Sequence, residues 1–116
     1  RGIVLFSEGV SKGRITPNRF VEIASAKAAK LMGAYPEKGV IQVGSDADFA
    51  ILDPKAKYTI HAKDHHMQTD YAPFEGMEMT GKVVHTVSRG KFVIENGVYT
   101  NTQHRGRLFK RTGPIL

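Results

Sequence analysis

The chain has 116 residues, 41% of them hydrophobic and 24% charged, and no cysteine. That is room for one modest core, with disulfides and thiolate metal ligands excluded. The net charge of +6 would admit acidic partners. The basic residues are scattered, however, except for Arg105, Arg107, Lys110 and Arg111, and no zinc-finger, helix-turn-helix or RNP-like pattern accompanies them, so nucleic-acid binding is not expected. The longest early apolar run, Ile3-Val4-Leu5-Phe6, is too short for a membrane span or a signal-peptide core, and a cytoplasmic protein is expected. The opening residue is Arg1, which fits a segment of something longer.

In chain order, Ile3 to Gly13 carries Ile3, Val4, Leu5, Phe6 and Val10 ahead of a Gly-rich end, the pattern of a short helix with one apolar side. Thr16 is placed as an N-cap, with Pro17 at the first helical position where its missing N–H costs nothing. Phe20, Ile23, Ala24, Ala28 and Leu31 then recur near i, i+3/i+4 spacing, and Gly33 is placed to end this second helix in a left-handed conformation. After Pro36 the texture predicts strands at Val40–Val43, Phe49–Leu52 and Tyr58–Ala62, punctuated by Gly44-Ser45-Asp46 and Asp53-Pro54. The polar stretch from Lys63 to Glu78, with Pro73 and Gly76, predicts a loop. Val83–Ser88 and Lys91–Glu95 flank Arg89-Gly90, a tight hairpin turn, and Asn96-Gly97 predicts a second turn of type I′. The two helices offer wide apolar faces to a small sheet. At ~25 cal/mol per Å² of apolar surface, leaving them wet would be costly, so they are expected to pack on a further body.

Side chains capable of chemistry are few, and most have a structural explanation. His61 and His65 have the i, i+4 spacing of a helical metal pair, with Asp64, His66 and Asp70 nearby. His61 closes a predicted strand, though, and residues four apart on extended chain lie ~13 Å apart. Polar loop residues bonded to backbone are therefore the expected outcome. Asp46 and Asp48 could be paired carboxylates, but their Gly44-Ser45-Asp46-Ala47-Asp48 setting predicts capping of backbone N–H groups in a turn. Ser7 beside Glu8, and Ser88 after His85, lack the base, orienting group and oxyanion hole a nucleophile needs. Gly9-Val10-Ser11-Lys12-Gly13 lacks the full phosphate-loop pattern and reads as a helix ending.

Four segments together resemble the dihydropyrimidinase/hydantoinase branch of the amidohydrolase superfamily. Leu5-Phe6-Ser7-Glu8-Gly9-Val10 with Gly13-Arg14-Ile15-Thr16 is similar to that family's last barrel helix and the turn after it. Phe20-Val21 through Ala28-Ala29-Lys30-Leu31-Met32-Gly33 and Tyr35-Pro36 resembles the next helix and its exit. Gly39-Val40-Ile41-Gln42-Val43-Gly44-Ser45-Asp46-Ala47-Asp48-Phe49-Ala50-Ile51-Leu52-Asp53-Pro54 resembles the superfamily signature where the chain leaves the barrel. His65-His66, Asp70-Tyr71, Pro73-Phe74-Glu75-Gly76-Met77, Gly81 and Ser88-Arg89-Gly90 resemble the C-terminal strands and their connecting loop.

The resemblance implies an α/β parent with a TIM-type (β/α)₈ barrel and a small β-sandwich. Residues 1–36 would be terminal barrel helices, 37–100 sandwich strands with a loop at 63–82, and 101–116 a basic tail. It implies a metal-dependent hydrolase opening dihydropyrimidine or hydantoin rings, with two zinc ions bridged by a carboxylated lysine. The family's ligands are a His-x-His pair, the lysine, two further His and an Asp. No residue here matches them, so no catalytic, metal or substrate-binding residue is carried over and no catalysis is expected from this segment alone. The remainder of the barrel is the implied partner of the helices. The tail Gly106-Arg107-Leu108-Phe109-Lys110-Arg111 is expected to reach a neighbouring protomer, often of a homotetramer. The aromatic and Met-containing run Tyr71–Met77 would dock either on the barrel or on another subunit. The rival readings are a non-catalytic collapsin-response-mediator-like assembly protein, which shares the fold, and a free-standing basic binding module.

Overall fold

Helix α1 opens the chain, as α-helix at Gly2–Leu5 passing into a π-helical stretch at Phe6–Ser11. The computed structural model describes residues 1–66, 68–100 and 106–115. Gly13, at φ 69°, turns the backbone out of the helix, the ending predicted for this Gly-rich stretch. Helix α2 follows through Pro17–Val21, a π-helical stretch Glu22–Ala26, and Lys27–Leu31. Its start is as predicted: the Arg19 N–H donates to Thr16 Oγ1 at 3.1 Å, with Pro17 at the first position, satisfying one of the donors a helix start leaves open. Its end is Gly33 at φ 68°. The two helices meet at an edge-to-face pair, Phe6 on Phe20, with centroids 5.5 Å apart.

Four antiparallel strands make one sheet in the order β1-β2-β3-β4: β1 Phe49–Thr59, β2 Glu78–Ser88, β3 Lys91–Glu95 and β4 Val98–Tyr99. Both hairpin turns are as read from the sequence. Arg89-Gly90 has φ 46° and 79°, and Asn96-Gly97 has φ 50° and 77°, two positive values in a row as a type I′ turn requires.

Three expectations are corrected. Val40–Val43 is not a strand: Ile41 is 83% exposed and Val43 fully so. Its apolar alternation has no sheet partner among the described residues, and an unpaired extended segment has no ladder to fix it. Asp53-Pro54 does not end a strand either. Phe49–Leu52 and Tyr58 belong to one strand, β1, interrupted by a bulge: Asp53 pairs with Lys82 and Lys57 with Thr80. Residues 54–56 thus stand opposite Gly81 alone. Pro54 has no ladder donor to lose there, and Asp53 Oδ1 accepts the Lys55 N–H at 2.9 Å. Third, the predicted loop 63–82 closes early, because β2 begins at Glu78 to face Tyr58 and Thr59 of β1.

The core sits where α1, β1 and β2 converge. Ile60, Ala72 and Met79 are buried, with Val4, Tyr58, Ala62, Phe74 and Met77 packed around them. Helix α1 is fastened to β2 by polar contacts as well. The Ser7 hydroxyl, 3% exposed, accepts the Thr80 N–H at 3.0 Å, and Ser11 Oγ donates to the Thr80 carbonyl at 3.2 Å. Thr80 therefore places its backbone donor and acceptor on two serines of one helix face. By contrast Val21, Ile23, Leu31 and Met32 of α2 and its exit are exposed.

Candidate functional site

The densest set of charged side chains lies where the segment after helix α2 turns back onto the β2–β3 hairpin. Gly39, at φ 85°, lets that segment cross α2: a Cβ there would lie 2.4 Å from the Ala29 Cβ. Ser45 Oγ donates to the Pro36 carbonyl at 2.6 Å, and the Asp46 N–H to the Glu37 carbonyl at 2.9 Å, closing the turn. The turn brings Lys38 against two carboxylates, with Nζ 2.7 Å from Asp46 Oδ2 and also bonded to Asp48 Oδ2. Asp48 Oδ1 accepts the Arg89 N–H at 2.8 Å, and the Gly90 N–H donates to the Ala47 carbonyl at 2.9 Å. Arg107 closes the far side, 2.9 Å from Asp46 Oδ2 and bonded to Glu37 Oε1.

Of Asp46 and Asp48, only Asp48 caps a backbone N–H as predicted, and not in the place predicted. Asp48 does hold a backbone N–H, in the β2–β3 turn rather than in its own. Asp46 is a bridge between two cations. Lys38, Glu37 and Arg107 had no local signal, since their partners lie eight or more residues away.

The electrostatics follow from the pairing. The bonds from Lys38 and then Arg107 hold the Asp46 carboxyl below its ordinary range. Burial works to raise Asp48, but the Lys38 and Arg89 bonds together outweigh it and its pKa is lowered. Lys38 is raised by its bonds to Asp46 and then Asp48. A carboxylate with a lowered folded pKa contributes stability that is present above the ordinary value of 3.8 and lost as pH falls through the lowered one. Lys38 contributes stability present below 10.5 and lost as pH rises through its raised value. Thermal melts across pH are therefore expected to show a plateau between these limits with a fall on both sides. Lys38→Met should shrink both falls; flanks unchanged in that variant would show the cluster to be energetically idle.

The His61 region is a second polar site. His61 Nδ1 lies 2.8 Å from Glu75 Oε1, and the Ala62 N–H donates to Glu75 Oε2 at 2.7 Å. The Glu75 carboxylate is lowered first by the His61 bond and then by the Ala62 N–H. Between His61 and His65 the chain is a 3₁₀ turn, Ala62–Asp64, not the extended backbone assumed from the sequence, because Glu75 holds the first N–H of that turn. Asp64, His65, His66 and Asp70 are exposed, and the His66 ring lies 6.0 Å from that of Tyr99. Among the described residues no group of three His, Asp or Glu comes together in a way that could hold a metal ion.

No nucleophile is assembled by the remaining candidates. Ser7 is bonded to the Thr80 N–H and Glu8 to Lys12 Nζ at 2.7 Å. His85 Nδ1 accepts the Asn96 N–H at 3.2 Å, its ring meets Phe92, and Ser88 lies in the ladder opposite Lys91. The Tyr71–Met77 run docks on its own chain: Ala72 is buried, Phe74 and Met77 join the core, and Tyr71 is 67% exposed. Among the described residues no helix is long and apolar enough to cross a membrane.

Comparison with known proteins agrees with this geometry. Residues 3–93 match the Amidohydrolase family. A D-hydantoinase of Geobacillus stearothermophilus is 50% identical over 108 residues, which is 93% of this chain and 23% of that protein. A D-phenylhydantoinase of Escherichia coli is 44% identical over the same shares. Among solved structures, the D-hydantoinase of Bacillus sp. AR9 superimposes with a TM-score of 0.93 at 50% identity, covering 100% of this chain and 25% of that one. The dihydropyrimidinase of Brevibacillus agri NCHU1002 gives 0.82 at 52% identity over 86% and 22% of the two chains. The chain thus spans about a quarter of the length of the relatives it matches. These relatives lend the collapsin-response-mediator alternative no support.

Proposed function

Because the chain belongs to the amidohydrolase family, we propose that it is the C-terminal part of a metal-dependent hydrolase that opens dihydropyrimidine or hydantoin rings. The observation that carries this is the 50% identity to a D-hydantoinase over 93% of the chain, joined to a superposition on another D-hydantoinase along its whole length. Helices α1 and α2 would complete the wall of a (β/α)₈ barrel, which accounts for the apolar side chains α2 leaves exposed. The four-stranded sheet would form one part of the β-sandwich beside it. The described residues do not suit a metal centre, so two zinc ions and their bridging carboxylated lysine would be held by the barrel strands, whose C-terminal ends carry the active site in this architecture. The protein is cytoplasmic in this reading, and the tail serves a homo-oligomer, a tetramer by preference.

The role of this segment is then to buttress: its bonds organise the sheet, the exit from α2 and the tail, and leave the reacting groups to others. The test is an assay of the full-length protein on hydantoin and on dihydrouracil. Water adds across the ring C–N bond, and the product is the open N-carbamoyl amino acid. Turnover that is lost on chelation and restored by zinc is the expected result. No ring opening of either substrate with any divalent metal would overturn the proposal.

A further inference from the structure

The described part of the tail is attached to its own chain. Three attachments tie it to residues that precede the sheet. Arg107 bridges Asp46 and Glu37. The Thr112 N–H donates to the Gly33 carbonyl at 2.9 Å, and its hydroxyl to the same oxygen at 3.1 Å. The Ile115 N–H donates to the Lys30 carbonyl at 3.0 Å. The Lys30 carbonyl, in the last turn of α2, also accepts the Gly33 N–H at 3.1 Å, so the tail gives it a second donor, while the Gly33 carbonyl just past the helix takes both Thr112 donors. The approach is close: a Cβ on Gly33 would lie 2.0 Å from the Thr112 carbonyl oxygen, so the glycine that ends α2 also makes the seat for the tail.

We infer that residues 107–115 form a strap across the exit of helix α2, with a charged anchor at Arg107 and a neutral backbone anchor at Thr112 and Ile115, and that the strap holds residues 34–48 in their folded turn. The two anchors differ in kind. Arg107 and Glu37 are about half exposed and Asp46 less so, and these pairs are weakened by salt. The Thr112 and Ile115 bonds carry no net charge and are not. Ionic strength therefore releases the strap at its Arg107 end first, freeing the turn that carries Lys38, Asp46 and Asp48 while the α2 end stays covered. This holds whatever the enzyme's substrate.

Hydrogen exchange read by mass spectrometry in the full-length protein tests it. Arg107→Ala is expected to speed exchange in residues 34–48 about two- to five-fold, the range of an exposed ion pair. Salt at about 0.5 M, where the screening length is only a few ångströms, should do the same to the unaltered protein and do less to Arg107→Ala, where only the Lys38 pairs remain to be screened. Arg107→Lys should retain most of the protection. Truncation before Arg107 should speed exchange in both residues 30–33 and 34–48. Unchanged exchange in 34–48 for Arg107→Ala overturns the inference, even where truncation has an effect. If the truncated protein fails to fold, Arg107→Ala and the salt series decide alone.

Discussion

Replacing Gly81 by valine is expected to destabilise the folded protein by roughly 2–5 kcal/mol, the sum of a strained backbone and an overpacked contact. Gly81 sits in β2 at φ 99°, in the region that L side chains rarely adopt. It is the single residue facing the three bulged residues of β1. A Cβ there would lie 2.5 Å from the Phe6 ring, and Phe6 is itself buried and stacked edge-on against Phe20. Valine would therefore push helix α1 off the sheet at the point where Ser7 and Ser11 hold Thr80. Gly44→Ala is the internal control: φ is 92° there too, but nothing lies within 4 Å of the added carbon, so only the backbone cost applies. Denaturant melts of the two variants separate the effects. Equal losses for Gly81→Val and Gly44→Ala would show that contact with Phe6 contributes nothing.

What the sequence disclosed and what it concealed divide by range. Helix α2 was legible from Thr16-Pro17 to Gly33 because its caps act within three or four residues. Both hairpins were legible because Arg89-Gly90 and Asn96-Gly97 carry their positive φ values in the turn itself. Asp53-Pro54 misled because proline interrupts hydrogen bonding locally, and a bulge does so without ending the strand. Val40–Val43 misled because alternating apolar residues specify a strand only when a partner pairs with them. Glu78 to Lys82 were assigned to the loop because the signal that recruits them is the register against Asp53–Thr59, a distant segment.

The polar sites follow the same rule. Asp46 and Asp48 stood out as a pair, yet the groups that use them, Lys38, the Arg89 N–H and Arg107, come from three separate stretches. Glu75 was quoted only within a family motif, and its hold on His61 and the Ala62 N–H is a contact between the two ends of a loop. Neither site brings together a nucleophile and a base. What both do is fix irregular backbone: the turn after α2 in one case, the exit from β1 in the other. At these two sites charged side chains hold loops, while Ser7 and Ser11 join the helix to the sheet with neutral hydroxyls. That division fits physical cost, since a neutral hydroxyl can be buried with its bond made, whereas a buried charge demands a complete set of partners.

Met79→Ala is expected to cost about 2–5 kcal/mol, as removal of a fully buried long side chain does when the cavity cannot collapse. Met79 is 2% exposed and sits opposite Tyr58 in the β1–β2 ladder. Around it are Val4 from helix α1 and Ala72, Phe74 and Met77 from the loop. The cluster it belongs to thus joins the three elements whose mutual position the polar contacts only trim. The loop is tied to the end of β1 through the Ile60 N–H to the Met77 carbonyl at 3.0 Å and the Gly76 N–H to the Ile60 carbonyl at 2.9 Å. Those two amides should lose protection in Met79→Ala before the β2–β3 hairpin does. Met79→Leu keeps the volume and should cost less than about 1.5 kcal/mol. If Met79→Ala melts within about 1 kcal/mol of the unaltered protein, the cluster is not what fastens the loop, and the Glu75 bonds to His61 and Ala62 become its main tether.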